Sequence, residues 1–208
     1  NNNTNPSGSF QYDENQRALQ SGKTLFLQLN SSGTIFQAKS FDYGPNTDIF
    51  HQDITLSDDE REIVALSKYL NTSESSRQKI GFLYLDLQGK LVNKTIYDLK
   101  QDVNSIPYKL FKSPWNNSYY ILSHVKDDFS NDAHNFTEAY IMEVKKNGTI
   151  LWVNRTYRPE LNYYYAYHDL AISDANERLD ITGYSTTEPG TIYLHIYQFN
   201  LTRVPEAP

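Results

Sequence analysis

Apolar and polar positions alternate along most of this chain, and the period is two. The segments 82-FLYLDL-87 and 192-IYLHIY-197 place every second residue on one face, the spacing of a β-strand. Three apolar segments, 63-IVALS-67, 119-YYILS-123 and 179-LDITG-183, each end in a small residue and each follow a polar turn. Those turns are 57-SDDE-60, 113-SPWN-116 and 173-SDAN-176. Their serines are spaced by 56 and 60 residues, as are the strand ends Ser67, Ser123 and Gly183. A second turn recurs in step, with Gly33, Gly89 and Gly148 separated by 56 and 59 residues. Glycine suits a hairpin turn because it adopts positive φ without a Cβ clash.

The pattern predicts an internal repeat of about 55–60 residues. Each copy reads strand, Ser turn, strand, variable loop, strand, Gly turn, strand. The expected organisation is a polar leader at 1–9, one all-β repeat domain at 10–204, and a tail at 205–208. Within the domain fall a partial copy (10–47), two whole copies (48–104 and 105–160) and a partial last copy (161–204). That last copy includes 191-TIYLHIYQFNLT-202, which keeps the alternating strand and lacks the glycine. The segments 70-LNTSESSRQK-79 and 126-KDDFSNDAHNFTE-138 read as long polar loops. Only 13-DENQRALQ-20 has any helical character. The pair 51-HQDITLSDDE-60 and 168-HDLAISDANE-177 is similar enough to suggest duplication, with His51 and His168 in equivalent repeat positions and Asp53 and Asp169 likewise repeat-equivalent.

Four antiparallel strands per copy, in successive copies, are the sequence pattern of a β-propeller. The segments 169-DLAISDANERLDITGYSTT-187 and 139-AYIMEVKKNGTILWVNRTY-157 resemble the two halves of a blade in the long-period propeller repeats of secreted and cell-surface proteins. The resemblance covers about residues 22–202. It lacks the Trp-Asp dipeptide of one propeller class and the paired glycines of kelch repeats, and only one copy carries the outer-strand tryptophan, Trp152. The expected fold is therefore all-β, with antiparallel four-stranded repeats as propeller blades. A two-sheet β-sandwich is the alternative for the same strand spacing.

Composition narrows the function class. The 208 residues carry a net charge of −6 with acids and bases interspersed, and no basic cluster is present for a nucleic-acid backbone. No apolar run reaches the length of a membrane-spanning helix. With no cysteine, the chain uses neither disulfides nor thiolate metal sites. An extracellular chain of this kind fits a bacterial, archaeal or protist surface. Seventeen Tyr and ten Phe favour strands.

Asn-x-Ser/Thr sequons begin at Asn2, Asn30, Asn71, Asn93, Asn116, Asn135, Asn147, Asn154 and Asn200. The content of Asn, Ser and Thr predicts about three by chance. Nine sequons point to an N-glycosylated chain outside the cell or on its surface, with N-linked glycans as covalent partners. Asn30 and Asn147 fall in predicted turns. Asn93 and Asn154 fall late in outer strands. The competing reading is an accident of composition.

No catalytic, cofactor-binding or metal-binding residue is nominated. His51, His124, His134, His168 and His195 have no metal-ligand spacing, and duplication accounts for the first and fourth. Asp127, Asp128, Asn131 and Asp132 could offer oxygen to calcium but lack the alternating pattern with a central glycine. Asp53 and Asp169 are expected to hydrogen-bond neighbouring backbone. Trp115, Tyr119 and 163-YYYAY-167 could stack on sugar rings or simply fill strands. The expected function is a non-enzymatic extracellular glycoprotein that presents a binding surface or self-assembles. The first alternative is a structural subunit of a surface filament or coat, with 10-FQYDENQRAL-19 as a donated strand. The second is a glycan-active propeller enzyme.

Overall fold

The computed structural model describes residues 24–57, 59–74, 77–100, 103–126, 136–157, 164–173, 178–186 and 192–200. Thirteen strands account for most of them, and no helix occurs among them. Sheet I pairs β1 (Thr24–Leu29) with β2 (Ile35–Phe41). Sheet II is the meander β3 (Thr47–Leu56), β4 (Glu62–Asn71), β5 (Lys79–Asp86) and β6 (Leu91–Tyr97). Sheet III repeats it with β7 (Asn104–Lys112), β8 (Ser118–Lys126), β9 (Phe136–Lys145) and β10 (Ile150–Tyr157). Sheet IV holds β11 (Tyr164–Ser173), β12 (Arg178–Thr186) and β13 (Ile192–Asn200). Every pairing is antiparallel between strands adjacent in sequence. The leader at 1–9, the segment 13–20 and the tail at 205–208 lie outside the described residues. The first polar loop is shorter than the sequence suggests, since Leu70 and Asn71 extend β4 and Lys79 already begins β5.

The repeat is visible in the hydrogen-bond register. In each Gly turn the glycine N–H bonds the carbonyl three residues back: Gly33 to Asn30, Gly89 to Asp86, and Gly148 to Lys145. A second bond, from the N–H of that same residue to the carbonyl of the residue after the glycine, closes all three turns. The glycines have φ of 79°, 81° and 83°, the left-handed region that side chains resist. At the other end, Ser57 N–H bonds Glu62 O and Ser113 N–H bonds Ser118 O, closing equivalent hairpins. The first strands β3, β7 and β11 share a bulge, in which Gln52, Tyr108 and His168 are the extra residues.

That bulge corrects the alignment of the histidines. His51 faces Ser67 across the ladder, and its equivalents are Pro107 facing Ser123 and Tyr167 facing Gly183. His168 is instead equivalent to Gln52. The similar decapeptides are offset by one residue, and only Asp53 and Asp169 are true counterparts.

Period-two alternation gives each central sheet two apolar faces, and both are buried. One face of sheet II, with Ile63, Ala65, Leu83 and Leu85, packs on Phe26 of sheet I. Its other face, with Val64, Leu66, Phe82 and Tyr84, packs on Tyr119, Ile121, Met142 and Val144 of sheet III. The far face of sheet III, with Tyr120, Leu122, Ala139 and Ile141, packs on Leu179 and Ile181 of sheet IV. The four sheets therefore stack in series. Their first strands lie side by side along one edge, β7 against β3 and β11 against β7.

Polar ties cross these interfaces. Asp53 Oδ2 accepts from the Leu110 backbone N–H at 3.0 Å and lies 3.5 Å from Lys109 Nζ. It therefore links the first strand of sheet II to that of sheet III, the backbone role expected for it. Tyr97 Oη donates to Gly148 O at 2.8 Å, and Lys146 reaches back to Glu62 at 2.9 Å. The Gly148 turn thus sits on sheet II, where an added Cβ would overlap Thr95. Gly33 has open space around it.

Two predictions follow from these contacts. Gly33→Ala should cost about 1–2 kcal/mol, the penalty of left-handed φ alone. Gly148→Ala should cost about 2–4 kcal/mol, because overpacking against β-branched Thr95 is added to it. Urea denaturation of the two variants checks the order, and equal losses would show that Thr95 moves aside freely. Phe82→Ala should lose about 3–5 kcal/mol by the same measurement, since Phe82 is fully buried against Tyr84 and Tyr119 at the interface of sheets II and III.

Candidate functional site: sequon turns and buried carboxylates

Of the nine sequon asparagines, Asn2 and Asn135 lie outside the described residues, and Asn200 ends β13. The other six all reach the surface. Asn30, Asn93, Asn116, Asn147 and Asn154 are exposed, and Asn71 is partly so. Asn30 and Asn147 occupy the Gly turns, while Asn93 and Asn154 lie on β6 and β10, the last strands of sheets II and III.

Four of these side chains also build structure. Asn30 Oδ1 accepts from Ser32 N–H at 3.0 Å and Ser32 Oγ at 2.6 Å. Asn71 Oδ1 accepts from Ser73 N–H at 3.1 Å and Ser73 Oγ at 2.7 Å. Asn147 Oδ1 accepts from Thr149 N–H at 3.0 Å, and Asn116 Oδ1 meets Ser118 Oγ. The first three are Asx turns, which Asn-x-Ser/Thr forms for its own local reasons. The aspartates Asp86 and Asp42 do the same work at Gln88 and Gly44. A turn accounts for the residue types at Asn30, Asn71 and Asn147, and a side-chain contact with Ser118 engages Asn116. It does not account for Asn93 and Asn154, which sit within strands.

Two buried glutamates share β9. Glu138 and Glu143 are five residues apart in a regular ladder, so they point to opposite faces of sheet III. Glu138 Oε1 lies 2.7 Å from Arg155 and 3.0 Å from Lys100, and Oε2 accepts from Tyr140 Oη at 2.5 Å. Burial pushes the Glu138 carboxyl up. The Tyr140 hydroxyl and the two cations outweigh it and hold the group below its ordinary value. Burial, and then Glu138 itself, raise Tyr140 to about 12.

Glu143 Oε2 accepts from Trp152 Nε1 at 2.5 Å across the β9–β10 ladder. Its Oε1 lies 2.6 Å from Ser118 Oγ and 3.2 Å from Asn116 Nδ2. The one Ser118 proton serves either Glu143 or Asn116 at a time. Burial first, then the Glu143 charge, lift Tyr120 to about 12. Each glutamate is saturated by donors, and the two do not face each other across a cleft as a glycosidase pair must.

The other candidates scatter. His51 Nδ1 bonds Ser67 Oγ at 2.7 Å beside Tyr43, and burial lowers its pKa. His124 is fully buried against the Tyr108 ring. His168 and His195 lie on β11 and β13, and His134 lies outside the described residues, as do Asp127, Asp128, Asn131 and Asp132. Among the described residues, no three His, Asp or Glu side chains gather as a metal site would need. Tyr119 is not a sugar platform, because both faces of its sheet are covered and its ring lies in the core with Phe82. Trp115 is half-buried against the same cluster as Trp152. Tyr164, Tyr165 and Tyr167 belong to β11, and Tyr163 lies outside the described residues. Asp169 is exposed on β11, at the position of Asp53. Sequence reasoning missed Glu138 and Glu143. Their only signal is an acid within an otherwise apolar strand.

No protein-family model matches the chain, and no curated protein matches its sequence. No helix among the described residues is long and apolar enough to cross a membrane.

Glu138→Gln should destabilise the fold by about 1–3 kcal/mol at pH 7, a loss moderated by the exposure of Lys100 and Arg155. The folded pKa is depressed, so this stabilisation is present above the unfolded value of about 4.3 and fades as pH falls through the folded value. Denaturation midpoints of wild type and variant should therefore converge in acid. A gap that persists unchanged to the lowest pH would mean that packing, not charge, holds Glu138.

Proposed function

We propose that this chain is a non-enzymatic, extracellular, N-glycosylated β-repeat protein whose work is to present a binding or assembly surface. The observation that carries the reading is the placement of the sequons: all six whose side chains are described are exposed or partly exposed, in a fold that buries most residues of its central strands β4, β5, β8 and β9. The two strand sequons weigh most, because no turn requires Asn93 or Asn154. The propeller reading of the fold is supported by the serial stack and by the first strands meeting along one edge, as blades do around an axis. The non-enzymatic reading is supported by the saturation of Glu138 and Glu143 on opposite faces of one sheet.

A second reading, a subunit of a surface filament or coat, is favoured by exposed aliphatic side chains on the outer faces of sheets I and IV. Leu25 and Leu29 project from sheet I, and Leu194 and Ile196 from sheet IV. Both readings place protein partners at the cell surface and neither requires a cofactor.

The test is peptide mapping of native protein after enzymatic release of N-glycans in heavy-oxygen water, which marks each occupied asparagine as labelled aspartate. Asn93 and Asn154 should be labelled, along with turn sites such as Asn30 and Asn147. Native protein with bare asparagine at both strand sites and at the turns would sink the reading and leave the Asx turns as the full account of the sequons.

A further inference from the structure

One of the two tryptophans, Trp152, lies on β10, and the sequon residue Asn154 follows two positions later. The β9–β10 ladder is regular from Trp152 to Tyr157, so these two side chains share one face of sheet III. On that face Trp152 sits opposite Glu143, and Asn154 sits opposite Ile141. β10 is the edge strand of the sheet, and Asn154 is exposed there. Trp152 is fixed from two directions. Its indole N–H donates to Glu143 Oε2 at 2.5 Å, and the Tyr120 ring backs it at 6.2 Å between centroids. The side chain is still only half-buried, so part of the indole remains at the surface.

The other sequons with described side chains lack this arrangement. Asn93 occupies the repeat position of Trp152, opposite Tyr84 as Trp152 is opposite Glu143. Two residues before it stands Leu91, but a bulge at Val92 turns Leu91 to the other face, where it packs with Leu85. Tyr69 stands two residues before Asn71, but it is buried and the Lys94 ammonium lies 5.0 Å over its ring. Gln28, Pro114 and Lys145 precede Asn30, Asn116 and Asn147 at the same spacing. We infer that Trp152 is a sugar platform within the chain: the first pyranose of an N-glycan on Asn154 lays its apolar face on the indole. Same-face neighbours on a strand are about 7 Å apart, a gap that a sugar on the Asn154 amide spans. Stacking of this kind needs a ring whose orientation is already fixed, and Glu143 supplies that. An acid buried in an otherwise apolar strand thereby gains a purpose. The inference rests on the glycosylated reading of the chain and says what one glycan does.

The test is a double-mutant cycle on the natively glycosylated full chain. Asn154→Gln should lower the folding equilibrium constant about 3- to 10-fold, read by urea denaturation. The same change in a Trp152→Leu background should have no further effect, and Asn93→Gln should have none in either background. Trp152→Phe, which keeps a ring and loses only the indole N–H, should retain most of the Asn154 effect if Trp152→Leu proves too unstable to measure. In a Trp115→Phe background Trp152 is the sole tryptophan, and enzymatic release of the glycans should raise its quenching by acrylamide. An Asn154→Gln loss of equal size with and without the ring overturns the inference, as does quenching that glycan release leaves unchanged. Bare Asn154 overturns it as well, while sugars mapped at Asn93 and the turn sites would leave the proposed function standing. Sugar at no sequon would end both.

Discussion

The structure depends on one constraint: its two central sheets have no polar face. In β4, Ile63 and Ala65 point one way and Val64 and Leu66 the other, and all four are buried. A meander of this kind cannot float on a single core with its back to water. It needs an apolar neighbour on each side, and the next copy of the repeat supplies one. Burial of side chains the size of leucine or isoleucine is worth about 1.5–3 kcal/mol each, so covering the second face outweighs any single polar contact in the chain. Serial stacking is the solution that a repeated, two-faced sheet allows.

The polar groups then act on direction. Asp53 bonds the backbone of the following first strand, Lys146 reaches the Ser turn of the preceding sheet, and Tyr97 caps the carbonyl of Gly148. Each tie lies near a strand end or bulge, away from the apolar centre. Apolar faces alone would tolerate sliding, since hydrophobic contact is non-directional. A carboxylate aimed at one backbone N–H does not. The Gly89 and Gly148 turns add a steric lock, because their backbone lies flush against Phe26 and Thr95 of the preceding sheet. Stacking strength and stacking register therefore come from different residues.

This division explains what could be read from the chain. The strand order and both turn types were legible, since Gly33, Gly89, Gly148 and the serines at 57, 113 and 173 carry backbone requirements that leave fixed spacings. Asp53 was legible in role. His51 and His168 were misaligned because a bulge adds one residue to the strand, and the duplicated letters do not reveal on which side of it each histidine falls. Tyr119 offered itself as a surface aromatic for a similar reason. One strand does not declare that both its faces will be covered. Glu138 and Glu143 were missed because their donors, Arg155, Lys100 and Trp152, come from other strands and linkers. The sequons were plain as letters and ambiguous in meaning: at Asn30 and Asn71 one amide oxygen builds a turn that Asn-x-Ser would favour without any sugar.

Stacked repeats ordinarily finish in caps whose outer faces are polar, because an apolar end is sticky. The outer face of sheet IV has part of this character, with Asp169, Asp180, Thr182 and Gln198 beside Leu194 and Ile196, whereas β1 of sheet I shows Leu25, Leu27 and Leu29. On β1, aliphatic side chains stand where the interior sheets bury theirs, in the same two-residue alternation without a charged interruption. Such a face persists under a constraint only if something covers it, and the cover must match a twisted sheet surface with aliphatic spacing. The exposed sequons fit that geometry. Asn30, Asn93, Asn147 and Asn154 stand at hairpin tips and on last strands, so glycans there would line the edges of the sheets and leave their packed faces clear.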